Sequence, residues 1–269
     1  MSGSWEQKRV LVTIRTYPTP AWNGVEVSCT AGITDKGEWI RLFPMPYRLL
    51  APSKRFSKYQ WIELNAKKAS NDPRPESFHP DIDSIKIISE RLPTKSYWQP
   101  RKDIVFPVKS HCLCCLKAEH DAKGQPTIGI FKPKIINSLI IKKTTSVWSP
   151  AQLARLRQAS FFGVLPAQEL EKIPYDFSYK FKCDEAGCTG HEMICTDWEK
   201  GQSYRQWVRT YGARWEEYFR KKYETEMILE NDTHFYVGTM HGHPGSWIII
   251  GLFYPKSASL LSKIGFQSM

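Results

Sequence analysis

Several sequence patterns that define enzyme classes are missing from this chain. It contains no Gly-x4-Gly-Lys-Ser/Thr phosphate loop, so neither an ATP-driven motor nor a nucleotide cofactor is expected. The zinc-deaminase signature is absent, as is the His-Glu-x2-His pattern of zinc proteases. No clear Asp…Glu-x-Lys nuclease core is found either. Any chemistry must therefore come from a less familiar arrangement.

Long hydrophobic segments are also scarce. The longest apolar run, Trp247 to Phe253, is far shorter than a membrane span, so no membrane partner is expected. The first ten residues contain no apolar region of the secretory type. The seven cysteines are an odd number, and several are adjacent or nearly so. These features predict a soluble protein of a reducing, cytoplasmic compartment.

Positive charge and aromatic rings are plentiful. The chain has 38 Lys and Arg against 27 Asp and Glu, a net charge of +11 and a pI near 9.3. This excess favours an anionic partner, with nucleic acid first and an acidic membrane surface second. The 10 Trp, 12 Tyr and 13 Phe could stack on unpaired bases, although most rings in a folded protein belong to its core.

The N-terminal third predicts short β-strands separated by turns. Apolar segments rich in β-branched residues recur between Lys8 and Leu92, and Thr34–Gly37 has the composition of a hairpin turn. This spacing is typical of a small barrel or sandwich. Residues 93–126 are interrupted by prolines and predict an irregular boundary, after which β-type sequence resumes. The fold class predicted is α+β and mainly β.

Two segments predict helices. Ser149 as N-cap, Pro150 as first helical residue and Gln152 form a capping-box pattern for a helix ending by Ser160. Tyr204 to Met227 has aromatic residues at three- and four-residue spacing and is the longest helical signal. Such a stripe is usually a core face, with a base-stacking surface as the alternative.

A compact Cys/His segment follows the second group of strands. Its candidate ligands are Cys183, Cys188, His191 and Cys195, with Gly187 and Gly190 supplying a turn. Sulfur and nitrogen ligands at short spacings predict a structural zinc site, although the spacing differs from that of a standard zinc finger. A reduced hairpin without metal is the alternative. A missing ligand could also come from an upstream group, His111, Cys112, Cys114 and Cys115.

Two pairs of carboxylates are candidate catalytic groups. Asp197 and Glu199 flank Trp198, and one of them could orient a water or stabilise an oxocarbenium-like sugar. The alternative is that both cap the following helix. Asp72 and Glu76 lie in a loop stiffened by two prolines, which suits either an active site or a structural turn.

Six residues are candidate nucleic-acid contacts. Arg41 and Arg48 could grip phosphates, unless they form surface ion pairs. Arg74 belongs to the proline-stiffened loop, and a base could stack on the ring of Trp198. His241 and His243 in a Gly/Pro-framed loop could contact phosphate, act as acid or base, bind metal, or simply be exposed.

Several motifs together resemble a known family. SCTAGITDKGEWIRLFPMPYRLL, KYQWIEL and DPRPESF are similar to the opening of a bacterial family encoded beside anti-phage and restriction genes. The same family shows the strand Gly129–Lys134, the motif Asp197–Glu199 after a Cys/His knuckle, and the closing strand Ile249–Pro255. The N-terminal pattern is also similar to dual OB-containing domains. This resemblance implies two OB-like barrels, which commonly bind nucleic acid.

The resulting organisation has three parts: an OB-like barrel over 8–110, a second OB-like domain with helices and knuckle over 111–256, and a tail over 257–269. The leading hypothesis is an anti-phage protein that binds DNA, flips a base and cuts its glycosidic bond as an N-glycosylase-like hydrolase. That chemistry needs a stacking pocket, a carboxylate and base-edge contacts. A non-catalytic module partnering a defence nuclease and a nuclease in its own right are the alternatives.

Overall fold

A computed structural model describes residues 4–20, 26–158 and 170–258. Its chain divides into two compact units, each made from separate stretches of sequence. Unit 1 comprises residues 1–92 and 143–175, and unit 2 comprises residues 93–142 and 176–269. Residues 93–110 therefore group with the second unit, and a later segment returns to the first. Most of the predicted tail lies outside the described residues.

Unit 1 contains a closed five-stranded β-barrel. Its strands are β1 (Glu6–Arg15), β3 (Glu26–Thr34), β4 (Trp39–Met45), β5 (Trp61–Lys68) and β6 (Ser77–Pro80). They run in the order β1-β3-β4-β6-β5, and pairing of β1 with β5 closes the ring. Two short strands, β2 (Thr19–Pro20) and β7 (Lys86–Ile87), pair with β3 and β5. The predicted small barrel is confirmed.

Alternating apolar residues fill the interior of the barrel. Val10 and Val12 of β1 face the same core as Ile40 and Leu42 of β4, because alternate strand residues point to one side. Gly32 of β3 lies so close to β1 that an added Cβ would stand 2.1 Å from the Leu11 carbonyl oxygen. The predicted turn at Thr34–Gly37 is present, and the Gly37 amide donates a hydrogen bond to the Thr34 carbonyl oxygen at 3.0 Å.

Unit 2 is built from two three-stranded sheets. One contains β9 (Ile135–Lys143), β10 (Tyr175–Lys182) and β11 (His191–Ile194), and the other contains β8 (Ile128–Phe131), β12 (His234–Met240) and β13 (His243–Phe253). A β-bridge between Cys195 and Ile249 joins them. In place of the second closed barrel expected from the resemblance, the described strands of this unit form these two sheets.

Two helices of unit 2 lie where the prolines and cysteines predicted irregular chain. The first, α1 (Lys95–Val105), begins with left-handed backbone at Ser96–Trp98. The second, α2 (Leu113–Lys123), starts after Cys112, whose sulfur accepts the amide of Cys115. Gly124 ends α2 with φ of 71°, a conformation that glycine adopts without strain. Thr94 precedes α1 without a side-chain capping hydrogen bond and Pro100 interrupts the helix, whereas α2 is capped by a cysteine, so sequence missed both.

The other helices follow the sequence signals closely. Helix α3 (Pro150–Gln158) has the predicted capping box, in which the Gln152 amide donates to Ser149 Oγ and Gln152 Oε1 accepts the Ser149 amide. Its predicted end at Ser160 lies outside the described residues. The long aromatic segment forms α4 (Trp198–Tyr211), α5 (Trp215–Arg220), a π-helical turn (Lys221–Glu226) and α6 (Met227–Leu229).

The aromatic stripe of these helices is mainly a core face. Phe219 and Tyr223 are fully buried, and Phe177 of β10 stacks on Phe219 with ring centroids 4.4 Å apart. Tyr211 and Tyr218 instead stack on each other near the surface at 3.6 Å. Among the described residues, no helix is long and apolar enough to cross a bilayer.

Candidate metal centre and lysine cluster

Four metal-ligating side chains converge in unit 2. The ligand atoms of Cys114, Cys183, Cys188 and His191 all lie within 4.8 Å of one another. The Nε2 atom of His191 is 3.3 Å from the sulfur of Cys114, 3.5 Å from that of Cys183 and 3.4 Å from that of Cys188. Three sulfurs and one imidazole at these separations can hold a metal ion.

A tight hairpin and a helix start position these ligands. Cys183 follows the last residue of β10, and His191 is the first residue of β11. Between them, the amide of Cys183 donates to the sulfur of Cys188 at 3.3 Å, and Gly190 takes φ of 108° to complete the turn. Cys114 comes from the first turn of α2, which packs its N-terminus against this hairpin.

The fourth ligand corrects the sequence prediction. Cys195 lies four residues beyond His191, about 13 Å along an extended strand, which is too far to share an ion. Its buried thiol instead contacts the amine of Lys200. Cys114, which sequence offered only as one of several spare ligands, takes the position that was assigned to Cys195.

The protonation of the Cys3His ligands depends on whether a metal ion is bound. Burial and the neighbouring Cys183 raise the pKa of the Cys114 thiol to about 12, and burial also raises the pKa of Cys183. Burial and the nearby charge of Lys117 lower the pKa of His191, so its imidazole is neutral at pH 7. A bound metal ion would reverse the balance at the thiols, because coordination favours thiolate and releases protons.

The carboxylates predicted to be catalytic have structural partners. Asp197 is buried, and its two carboxylate oxygens accept the amides of Lys200 at 3.1 Å and Leu252 at 3.3 Å. It is therefore the N-cap of α4 and also ties this helix to β13. Glu199 stands in the first turn of α4, where a negative charge favours the helix dipole.

The second pair of carboxylates is engaged in the barrel unit. Glu76 and Arg41 form a buried ion pair at 3.2 Å, with side chains only 7% and 3% exposed. Asp72 binds Arg74 at 2.6 Å. Although partial burial opposes ionisation of Asp72, the hydrogen bonds from Arg74 hold its pKa well below the usual range. Both pairs stabilise the loop between β5 and β6.

The remaining predicted nucleic-acid contacts are dispersed. Arg48 pairs with the buried carboxylate of Glu26 at 2.9 Å. Trp198 is the half-buried first residue of α4. His241 lies in the turn between β12 and β13, His243 is the first residue of β13, and both are exposed.

A cluster that sequence reasoning missed surrounds Asp232 in unit 2. The Asp232 carboxylate accepts Lys132 Nζ at 2.6 Å, and Lys102 Nζ lies 3.8 Å away on the other oxygen. Burial lowers the pKa of the adjacent His234 to about 4, and the charges of Lys109 and Lys132 add to this effect. Lys102 and Lys132 therefore share the Asp232 carboxylate, and Lys109 is a nearby positive charge beside the neutral His234.

An aromatic ring lies among these lysines. The amines of Lys102 and Lys109 stand 5.7 and 5.0 Å from the centroid of the Phe106 ring, and His234 packs on the same ring at 5.0 Å. We call Lys102, Lys109 and Lys132 the lysine cluster. Its signal in the sequence is local charge, since 95–143 contains ten Lys and Arg but only three Asp and Glu.

The fold and the cluster define a mainly β protein that combines a closed five-stranded barrel with a Cys3His metal-binding group. Residues 109–267 match the family described as a domain of unknown function, DUF8757, and the chain belongs to this family. Residues 6–107 match a second domain of unknown function, DUF8758. A comparison with curated proteins found no match.

Proposed function

We propose that this protein binds nucleic acid, with DNA as the first candidate, through a surface of unit 2 centred on the lysine cluster. The observation that carries the proposal is the grouping of Lys102 and Lys109 beside the half-buried ring of Phe106, with Lys132 on the Asp232 carboxylate that Lys102 also approaches. Phosphates of a polynucleotide are attracted by such an excess of positive charge, and an aromatic face beside it gives a base a place to stack.

The charges of the cluster favour an anionic partner. Lys109 and Lys132 are exposed, and Asp232 is the carboxylate that Lys102 and Lys132 share. Because His234 stays neutral above pH 4, it adds no further positive charge at neutral pH. A phosphate oxygen that approaches Lys109 or Lys132 therefore meets a local excess of two positive charges, which is the electrostatic basis of sequence-independent binding.

We further propose that the metal of the Cys3His group is zinc in a structural role. Three soft sulfurs and one imidazole fill all four positions of a tetrahedral site, which is the donor set of structural zinc. The site would hold the first turn of α2 to the β10–β11 hairpin.

The contacts made by the carboxylates support a non-catalytic binding module best. Asp197, Glu76 and Asp72 are each committed to backbone amides or arginines, which is typical of structural groups. Base excision by an N-glycosylase-like step remains a prediction from sequence, as does a role in anti-phage defence beside a nuclease. The seven cysteines, all among the described residues, form no disulfide, which fits the proposed cytoplasmic location.

Fluorescence anisotropy with labelled single- and double-stranded DNA and RNA tests the binding proposal. The Lys109→Ala/Lys132→Ala variant is expected to bind roughly tenfold more weakly and to reduce the slope of log K against log salt by about 2. Lys180→Ala is the matched control, because Lys180 is 56% exposed and pairs with one carboxylate, as Lys132 does. Unchanged binding by the double variant would overturn the assignment of the surface.

The same mixtures of protein and nucleic acid can be tested for catalysis. After incubation with plain and modified DNA, alkali-labile abasic sites would indicate a glycosylase, and direct breaks would indicate a nuclease. The proposal of a binding module predicts a complex without either product. The absence of any salt-dependent complex at low ionic strength would refute nucleic-acid binding altogether.

A further inference from the structure

A second group of metal-ligating atoms lies in the same two segments as the Cys3His group. The ligand atoms of His111, Cys115 and Glu185 are within 4.8 Å of one another. The sulfur of Cys115 is 3.9 Å from Glu185 Oε2. His111 and Glu185 are exposed and Cys115 is half-buried, so the group is open to solvent.

We propose that His111, Cys115 and Glu185 form a second, solvent-accessible site for a divalent transition-metal ion, with zinc as the first candidate. One nitrogen, one sulfur and one oxygen suit a borderline-soft ion and exclude calcium and magnesium, which prefer oxygen ligands alone. Three protein ligands leave one tetrahedral position for water or another oxygen donor, whereas the Cys3His group is closed.

The orientation of His111 supports ligation. Its Nε2 atom is 3.2 Å from the backbone carbonyl oxygen of Asp184, so Nε2–H donates to that oxygen. This bond fixes the tautomer with the lone pair on Nδ1, which is the nitrogen left to coordinate. Metal-binding histidines typically donate their other ring N–H in this way to a carbonyl or carboxylate.

The Cys3His group also positions ligands of the proposed second site. Cys115 follows Cys114 in α2, and Glu185 lies two residues after Cys183. An ion held by Cys114 and Cys183 would therefore fix the backbone that carries two of the three further ligands. Cys112 is not available as a fourth ligand in this arrangement, because it is fully buried and its sulfur accepts the amide of Cys115.

Metal titration of the full-length protein tests the second site. With Zn²⁺ as the probe, the wild type is expected to bind two equivalents. The first should resist a mild chelator, and the second should bind more weakly. His111→Ala and Glu185→Gln should each weaken the second equivalent about tenfold or more and leave the first unchanged. Glu192→Gln, an exposed carboxylate of the same hairpin, is the matched control and should retain both.

Cobalt substitution gives an independent readout. Addition of a second equivalent of Co²⁺ should add sulfur-to-metal charge-transfer absorption that Cys115→Ser removes, while the stronger absorption of the first equivalent persists. Persistence of that first signal also shows that the variant is folded. The proposal is overturned if the wild type saturates at one equivalent, or if the second equivalent is unaffected by the substitutions at His111, Cys115 and Glu185.

Discussion

The imidazole Nε2 of His191 lies 3.3 Å from the sulfur of Cys114, although the two residues are 77 positions apart in the chain. A metal ion bound here would connect α2 to the β10–β11 hairpin and close a long loop. Cross-links of this kind stabilise a fold partly by restricting the unfolded chain, and the effect grows slowly with loop length. The Cys3His group therefore bears on the stability of unit 2 as well as on its local geometry.

Substitution of Cys114 separates the observed ligand set from the one that the sequence predicted. Cys114→Ser should lose most of the tightly bound metal and destabilise unit 2 by about 3 kcal/mol or more, because binding free energy is also folding free energy. Cys195→Ser should keep the metal. Metal content by mass spectrometry and thermal unfolding measure both effects, and equal metal loss in the two variants would contradict the geometry.

Loss of the buried carboxylate of Glu76 should weaken the barrel. Glu76→Gln removes the carboxylate that compensates the buried charge of Arg41, which typically costs about 3–5 kcal/mol of unfolding free energy. Glu63→Gln, at the surface pair of Glu63 with Arg9, should change stability by less than about 1 kcal/mol. Urea denaturation gives both values. Adding Arg41→Met to Glu76→Gln should recover part of the loss, because it removes the stranded charge.

Two substitutions at Asp197 distinguish a helix cap from a catalytic carboxylate. Asp197→Ala removes the acceptor for two buried amides and should cost about 2 kcal/mol of stability. Asp197→Asn keeps an oxygen that can cap α4 and should cost less. Both variants should bind DNA as the wild type does at temperatures where they are folded. Loss of a DNA product in the folded Asn variant would instead favour the catalytic hypothesis.

The buried His234 should make the protein less stable in acid. Its pKa is lowered to about 4 in the folded state, so the unfolded chain binds the proton more readily between pH 6.5 and 4. The stability that the neutral His234 side chain contributes is fully present above pH 6.5. It is lost as the pH falls through 4, and the total loss of unfolding free energy is up to about 3 kcal/mol. His234→Asn should flatten the dependence of unfolding free energy on pH across this range. Parallel curves for wild type and variant would contradict this assignment.

Local sequence rules were sufficient where neighbouring residues decide the structure. The turn at Thr34–Gly37 and the capping box of Ser149 and Gln152 depend on short-range hydrogen bonds, and both were predicted. Helix α2 was missed because its N-cap is Cys112, a residue that rarely has this role.

In the candidate sites, too, residues close in sequence were predicted and residues brought together by the tertiary fold were not. Three ligands of the Cys3His group were found because they share one hairpin, whereas Cys114 reaches the group only through the tertiary fold. Similarly, sequence gives the excess of lysine over 95–143, but only the fold brings Lys102 and Lys109 to one ring and Lys102 and Lys132 to one carboxylate.

The interleaved composition of the two units has a practical consequence for dissection of the protein. A gene fragment ending near residue 108 would follow the family boundary, yet it would omit 143–175 from unit 1 and take 93–108 away from unit 2. Isolation of unit 1 therefore calls for an internal deletion in which a short linker joins residue 92 to residue 143. Isolation of unit 2 calls for the complementary deletion, in which residue 142 is joined to residue 176.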